Sequence, residues 1–208
     1  MTTVAIHSRF EPSGKPFRFV ATLLLVLASL ILAACDTTAP PGRPAPLTFD
    51  GMTPIGLDVA RLEVVDAYQA PMQDPNIDHT FPQTPTDAMR AWAQNRFRPE
   101  GGSGTATLII QDASVVKEDL PRTGGIAGVF TRDQSERLTA AMRIRLEIEG
   151  GRRGGFAEAR ARRSITLAEN VSVAEREAAW ANLTRDTLQA LNEQFVETVN
   201  RELGPVLR

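Results

Sequence analysis

Chemically reactive side chains are scarce in this sequence of 208 residues. It has one cysteine, Cys35, so no disulfide framework can form within the chain. Its two histidines are His7 and His79, too few for the usual histidine-based metal motifs. Basic residues number 23 against 25 acidic ones, whereas nucleic-acid binders normally have a basic excess. A disulfide scaffold and a nucleic-acid binder are therefore both disfavoured.

Recognisable catalytic motifs are also missing. No serine lies in a nucleophile-elbow pattern, and Gly124, Gly125 and Gly128 are not followed by the lysine and helix start of a phosphate-binding loop. Acidic residues that could form a catalytic pair are present, but no spacing brings two of them to a working distance: Asp112, Glu118, Asp119 and Asp133. The sequence predicts a protein that is not an enzyme and has no cofactor.

His79 is the remaining candidate for metal binding. It lies in a proline-rich connection with Asp74 and Asp78 close by in sequence, and one histidine with two carboxylates could hold a cation. The alternative, which we favour because no second histidine or cysteine is suitably spaced, is a solvated loop histidine. No metal site is predicted.

Long apolar runs are limited to one. Val20 to Cys35 is sixteen residues long, whereas a membrane-spanning helix needs about twenty. Three basic residues precede the run, namely Arg9, Lys15 and Arg18. A short apolar run behind a basic flank is typical of an export signal, with the N-terminus held on the cytoplasmic side.

The end of this run, Leu32-Ala33-Ala34-Cys35, resembles the lipobox of bacterial lipoproteins. The resemblance covers about the first thirty-five residues, and it implies cleavage after Ala34 and diacylglyceryl attachment to the Cys35 thiol. Residues 1–34 are then a signal peptide, and the lipid anchors the mature chain to a membrane. The alternatives are a retained membrane span and an ordinary buried cysteine. Asp36 leaves open whether the inner or the outer membrane is used.

The mature chain begins with a proline-rich segment. Residues 35–54 contain Pro40, Pro41, Pro44, Pro46 and Pro54, and such a composition predicts an extended, disordered tether. It would hold a single folded domain, residues 55–208, up to roughly 50 Å from the lipid. Without the signal peptide, the chain has 20 basic and 24 acidic residues.

The folded part has the pattern β-α-β-β-β-α. Apolar and polar residues alternate in four predicted strands, and two amphipathic segments predict helices, the second starting with the capping box Ser172 to Glu175. The predicted elements are strands at 57–68, 105–116, 136–149 and 156–167, a helix that begins at Thr86 or Asp87 and ends at the glycines from Gly101, and a helix from Ser172 to Leu203.

These elements predict an α+β fold with a four-stranded mixed sheet. The first two strands are joined through a helix and are expected to be parallel neighbours, whereas the last three are expected to form an antiparallel meander. Each helix has a single apolar stripe, so both should cover one face of the sheet and leave the other face in water.

The water-facing side of the third and fourth strands contains four arginines: Arg143, Arg145, Arg160 and Arg162. A register centred on the glycine-rich hairpin places Arg145 opposite Arg160 and Arg143 opposite Arg162, which is unfavourable unless an anion lies between them. Neutralisation by Glu147, Glu149 and Glu158 is the simpler interpretation. The alternative is a binding site for lipid or lipopolysaccharide phosphates, because arginine forks match phosphate geometry.

A second candidate surface lies in the long connection between the second and third strands. Ile126, Val129 and Phe130 are apolar residues in a glycine-rich stretch. They either fold back onto the core or form a contact for a membrane or protein partner.

A lipid-anchored domain of this layout is similar to small envelope lipoproteins, namely the lipoprotein of lipopolysaccharide assembly and the auxiliary lipoprotein of ABC-type lipid transporters. The resemblance implies a non-catalytic accessory or binding protein that faces the periplasm and contacts an envelope protein and anionic lipid. The alternatives are a structural envelope protein and an envelope hydrolase. No binding residue carries over, because only the layout is shared.

Overall fold

The computed structural model describes residues 44–121, 134–151 and 153–208. In chain order the strands and helices are β1 (Ile55–Leu57), β2 (Arg61–Asp66), α1 (Pro85–Arg96), β3 (Phe97–Pro99), β4 (Thr105–Asp119), β5 (Gln134–Glu149), β6 (Gly155–Ala168) and α2 (Val173–Glu202). There are also two short 3-10 turns, one at Asp78–Thr80 between β2 and α1 and one at Gly204–Val206 after α2.

The main sheet has four strands in the order β2-β4-β5-β6. Strand β2 pairs with β4 in parallel, and β4, β5 and β6 form an antiparallel meander. The predicted α+β fold, the parallel first pair and the meander are therefore confirmed. The parallel pair is possible because α1 lies between the two strands in sequence and returns the chain to the same end of the sheet.

The first predicted strand, 57–68, is wrong in one respect, because the chain changes sheets inside it. Residues Ile55–Leu57 pair in parallel with Phe97–Pro99 in a separate two-stranded sheet, and the main sheet begins only at Arg61. Between them Ala60 donates its backbone N–H to the carbonyl of Gly104 at 3.0 Å, and Gly101 donates to Val59 at 2.9 Å. These loop contacts are tertiary, so alternation along the chain does not reveal the break.

The core lies on one face of the main sheet, hereafter the inner face. Ala106, Leu108 and Ile110 of β4 are fully buried there, as are Ile144 and Leu146 of β5. A bulge between Ile110 and Asp112 reverses the alternation, so that Ala113 and Val115 continue the inner face. The opposite, outer face therefore contains odd-numbered β4 residues before the bulge and even-numbered residues, including Asp112, after it.

Both helices pack on this inner face, as their single apolar stripes predict. Trp92 of α1, Phe97 of β3 and Phe195 of α2 meet edge to face, with ring centroids 5.7–6.1 Å apart. Ala157 and Ala159 of β6 are buried beneath α2, where small side chains allow a helix to approach the sheet closely. Within the described residues, neither helix combines the length and apolarity that a membrane crossing requires.

The helix ends follow local sequence signals. Ser172 accepts the Glu175 N–H at 3.2 Å, and Glu175 in turn accepts the Ser172 N–H at 2.8 Å, so the predicted capping box is confirmed. Helix α1 begins earlier than predicted, because its cap is Thr84, which accepts the Asp87 N–H at 3.1 Å. Pro85 suits the first helical position because its missing N–H would have no partner there.

The tether prediction is wrong at its C-terminal end. Leu47 is only 8% exposed and belongs to the main core cluster, against which Phe49 and Met52 also pack. These apolar residues lie among the prolines and supply the buried surface that the proline-rich composition alone lacks. The packed structure therefore includes residues upstream of the predicted start at Ile55.

Candidate anion-binding surface

The register of the β5–β6 hairpin differs from the predicted one by two residues. Arg143 faces Arg160, whereas Arg145 faces Glu158 and Ala141 faces Arg162. At the turn the hairpin meets the loop before β4: Gly104, at φ 84°, lies so close to Gly151 that a Cβ on Gly104 would be 2.7 Å from the Gly151 nitrogen. The parity of the pairing is as predicted, but the predicted partners are wrong.

Arg145 is neutralised by its neighbours. Its Nε lies 2.5 Å from Glu147 Oε1, and its Nη1 lies 2.5 Å from Glu158 Oε1. Hydrogen bonds to Glu158 and Glu147 raise the pKa of Arg145 above its ordinary value. The guanidinium carbon also lies 3.9 Å from the centroid of the Phe156 ring, a cation–π geometry. For Arg145 the simpler interpretation, neutralisation by glutamates, is therefore confirmed.

The other three arginines form what we call the arginine surface: Arg143, Arg160 and Arg162. All three are exposed on the outer face, and none forms an ion pair with an acidic side chain in the part of the chain that the structure describes. Residues directly opposite in an antiparallel pair have Cβ atoms about 5 Å apart, so Arg143 and Arg160 repel each other unless an anion lies between them. The surface has a net positive charge, with Asp112, opposite Arg143 on β4, as the described carboxylate beside it.

A depression lies at the centre of the arginine surface. It has a volume of about 470 Å³ and is lined by Asp112, Ala141, Met142, Arg143, Arg160, Ala161 and Arg162. The small side chain of Ala141, opposite Arg162, leaves the space between the arginine stems open. Asp112 is the acidic residue of this lining, and its Oδ1 accepts the Ser114 N–H at 3.0 Å. The arrangement can accept an anionic group from solvent.

The backbone beneath Arg160 is held on both sides. On one side, β6 pairs with β5. On the other side, the Arg160 N–H donates a hydrogen bond to Oε1 of Gln194 on α2 at 2.9 Å. A second depression of about 310 Å³, lined by Arg143, Glu158, Ala159, Arg160 and Gln194, lies at this edge of the sheet. Neither Gln194 nor Ala141 was predicted to belong to this site, because a polar residue on a helix and an alanine in a strand do not by themselves indicate anion binding.

The remaining sequence candidates divide into two groups. Cys35, the apolar loop residues Ile126, Val129 and Phe130, the glycines at 124, 125 and 128, and Asp133 lie outside the described residues. Glu118 forms an ion pair with Arg137, with Nη1 and Oε2 3.2 Å apart. The acidic candidates are thus represented in the structure by the neutralised Glu118, by Asp112 at the arginine surface and by Asp119, which is exposed at the end of β4 opposite Glu136.

His79 is not the fully solvated histidine that we favoured. It lies in a 3-10 turn next to Asp78, which is only 3% exposed, and its Nδ1 is shielded from solvent. Burial, together with the carboxylates of Asp78 and Asp112, raises the pKa of the nearby Tyr68. Across residues 44–121, 134–151 and 153–208, no three histidine, cysteine, aspartate or glutamate side chains are grouped as metal ligands.

Comparison with known proteins does not identify a family for this chain. No protein-family model matches the chain, and no curated protein matches it. Among solved structures, it is similar to the rare lipoprotein B from Shewanella oneidensis, with 9% sequence identity and a TM-score of 0.35. That match covers 68% of this chain and 95% of the other. Values this low do not assign the chain to a family, so its function must be inferred from its own residues.

Proposed function

We propose that this protein is a lipid-anchored, non-catalytic lipoprotein of the cell envelope, an accessory or binding subunit for envelope lipid. It faces the periplasm, and its arginine surface binds the phosphate of an anionic lipid or lipopolysaccharide headgroup. The observation that supports this proposal most directly is the arginine surface itself, where Arg143 and Arg160 face each other and neither forms an ion pair among the described residues, although Asp112 lies opposite Arg143 on β4.

The chemistry of arginine favours phosphate as the ligand. A guanidinium group is planar, remains charged at any physiological pH and presents paired N–H donors that match two phosphate oxygens. Two such groups on adjacent strands, with the opening above Ala141 between them, can hold one phosphate from two sides. The repulsion between the arginines is then relieved by binding, which adds to the affinity.

The lipobox-like sequence that ends at Cys35 supports a position at a membrane surface. A diacylglyceryl group on Cys35 has two acyl chains, which anchor a domain more stably than one, and it holds the domain at a bilayer surface, where phosphate headgroups are concentrated. A basic surface adds about 1 kcal/mol of attraction per arginine near an anionic membrane. Anchor and arginine surface therefore reinforce each other at the same membrane.

The headgroup proposal is tested with the chain from residue 35, carrying Cys35→Ala so that binding does not depend on the anchor. Affinity is measured for phosphatidylcholine vesicles with and without phosphatidylglycerol. The double variant Arg143→Gln/Arg160→Gln should bind the anionic vesicles about 30-fold more weakly, as expected for the loss of about 2 kcal/mol.

The matched control is Arg185→Gln/Arg201→Gln, which removes the same charge from exposed positions on α2. If both double variants lose affinity equally, net charge and not the arginine surface is responsible, and the headgroup site is wrong. Competition by inorganic phosphate at low concentration would show a site for free phosphate. Unchanged binding by the first variant would favour the alternative, a structural envelope protein.

The anchor is tested separately, by mass spectrometry of the protein purified from membranes. We expect a diacylglyceryl group on Cys35 and no residues from 1–34, and we expect Cys35→Ala to be lost from the membrane fraction. An intact leader would contradict the proposal.

A further inference from the structure

A narrow apolar groove lies near the start of α2, away from the arginine surface. One wall contains the rings of Phe81 and Trp180, which stack on each other with their centroids 4.6 Å apart and their planes inclined by 2°. Gln83, Pro82 and Thr184 complete this wall, and the free space amounts to about 100 Å³. We call this feature the tether groove.

The chain's own proline-rich segment lines the tether groove. Pro44, Ala45, Pro46 and Leu47 form its other wall, next to Phe81 and Trp180. Leu47 donates its backbone N–H to Gln83 Oε1 at 2.7 Å, and its side chain is buried in the main core. A groove lined by both aromatic rings and prolines, with a side-chain hydrogen bond to the backbone, resembles the sites that recognise extended proline-rich segments.

We propose that the tether groove is an intramolecular binding site for the segment from Pro44 to Leu47, and that this contact determines how far the domain can move from its lipid anchor. The inference rests on the proposed function in one respect, the lipid on Cys35. Its ligand is an extended proline-containing stretch of this chain, bound by two aromatic rings and a glutamine.

The number of free residues between Cys35 and the domain limits the distance between the domain and its lipid anchor. Pro44 is nine residues after Cys35, and nine residues span at most about 32 Å when fully extended. A tether free up to Ile55 would be twenty residues long and could span about 70 Å. With the groove occupied, the domain stays close to the membrane that holds its anchor. The arginine surface then binds headgroups of that same membrane and not those of a distant one.

Docking is tested first by hydrogen exchange at the Leu47 amide in the full chain. Because this N–H donates to Gln83, it should be protected in the parent and should exchange about five- to tenfold faster in Gln83→Ala. The amide of Leu108, buried in β4, should be unaffected. The matched control Gln189→Ala replaces an exposed glutamine of α2 and should leave Leu47 protected. Exchange at the unfolded-chain rate in the parent would overturn the proposal.

The reach is tested with the lipidated chain in vesicles. The native chain has one cysteine, and the lipid occupies it, so a dye on Asn170→Cys labels the domain at a single position. Energy transfer from this dye to an acceptor at the bilayer surface should fall when Gln83→Ala and Trp180→Ala are combined. It should fall further when a Gly/Ser stretch is inserted before Pro44.

The experiment distinguishes failure of the lipid anchor from failure of docking in the tether groove. A chain that does not associate with vesicles at all refutes the anchor and hence the proposed function. A chain that is anchored, but whose energy transfer is the same with and without the groove substitutions, refutes docking alone.

Discussion

At the residue scale, two arginines of one strand have opposite environments. Arg145 lies between two glutamates and over Phe156, whereas Arg143, two residues earlier, faces Arg160. The difference arises from the partner strand, because both side chains point to the same face. The charge pattern in the sequence therefore placed these arginines on one face of the sheet as the structure has them, but it assigned the wrong partners. Arg145 belongs to the ion pairs that frame the surface and is not one of its ligands.

Tyr68 offers a pH-dependent prediction at this scale. Burial, and then the carboxylates of Asp78 and Asp112, raises the pKa of Tyr68 above its ordinary value of 10.0. Because the folded state holds this proton more tightly than the unfolded chain, the stabilisation is complete below about pH 10 and is lost as the pH rises further. The free energy of unfolding should fall above pH 10 in the parent, and less steeply in Tyr68→Phe.

The measurement is urea unfolding at a series of pH values, with absorbance titration of the phenol in the folded protein. Tyr68 is the only tyrosine, so the titration reports on one group. A folded-state midpoint at the ordinary value would contradict the prediction.

At the scale of single elements, local signals placed helix ends well. The capping box at Ser172 and the predicted end at Leu203 depend on nearby residues, and the helix in the structure runs from Val173 to Glu202, capped by Ser172 and Leu203. The break between β1 and β2 and the bulge after Ile110 were not predicted. Both depend on contacts with other elements, which leave no trace in the alternation of a single strand.

The capping box gives a prediction for α2. Ser172→Ala removes the acceptor of the Glu175 N–H and should lower the free energy of unfolding by about 1 kcal/mol, measured by urea denaturation. The control is Val173→Ala, since Val173 is 74% exposed and its side chain does not cap the helix. That variant should differ from the parent by less than about 0.5 kcal/mol. Equal destabilisation by both variants would show that the cap contributes nothing specific.

At the scale of the whole molecule, the fold is a two-layer arrangement with one wet face. Trp92, Phe97 and Phe195 join both helices and β3 in one cluster beneath the sheet. On the outer face, Phe156 and Val65 remain 52% and 43% exposed. The inner face therefore determines stability, and the outer face is available for binding.

A matched pair of substitutions tests this division. Phe195→Ala should lower the free energy of unfolding by about 3–5 kcal/mol, because the fully buried ring leaves a cavity in the core. Phe156→Ala, on the outer face, should cost less than about 1.5 kcal/mol, most of it from the lost contact with Arg145. Chemical denaturation of both variants supplies the comparison. A similar loss for both would mean that the outer face is packed against something.

The sequence by itself determined the order of the four main-sheet strands and the two helices, the parallel and antiparallel pairings within that sheet, and the face that each helix covers. These follow from periodicity, caps and connection lengths, all of which are local. Only the tertiary structure decided which arginines face each other and where the tether meets the domain. Apolar and polar residues alternate along a strand with a period of two, so shifting its pairing by two residues leaves every side chain on the same face of the sheet. The alternation therefore specifies the face but not the partner residue on the neighbouring strand. The close approach of Gly104 to Gly151 at the turn and the burial of Leu47 upstream of the predicted domain start are both contacts between segments distant in sequence, which local patterns do not reveal.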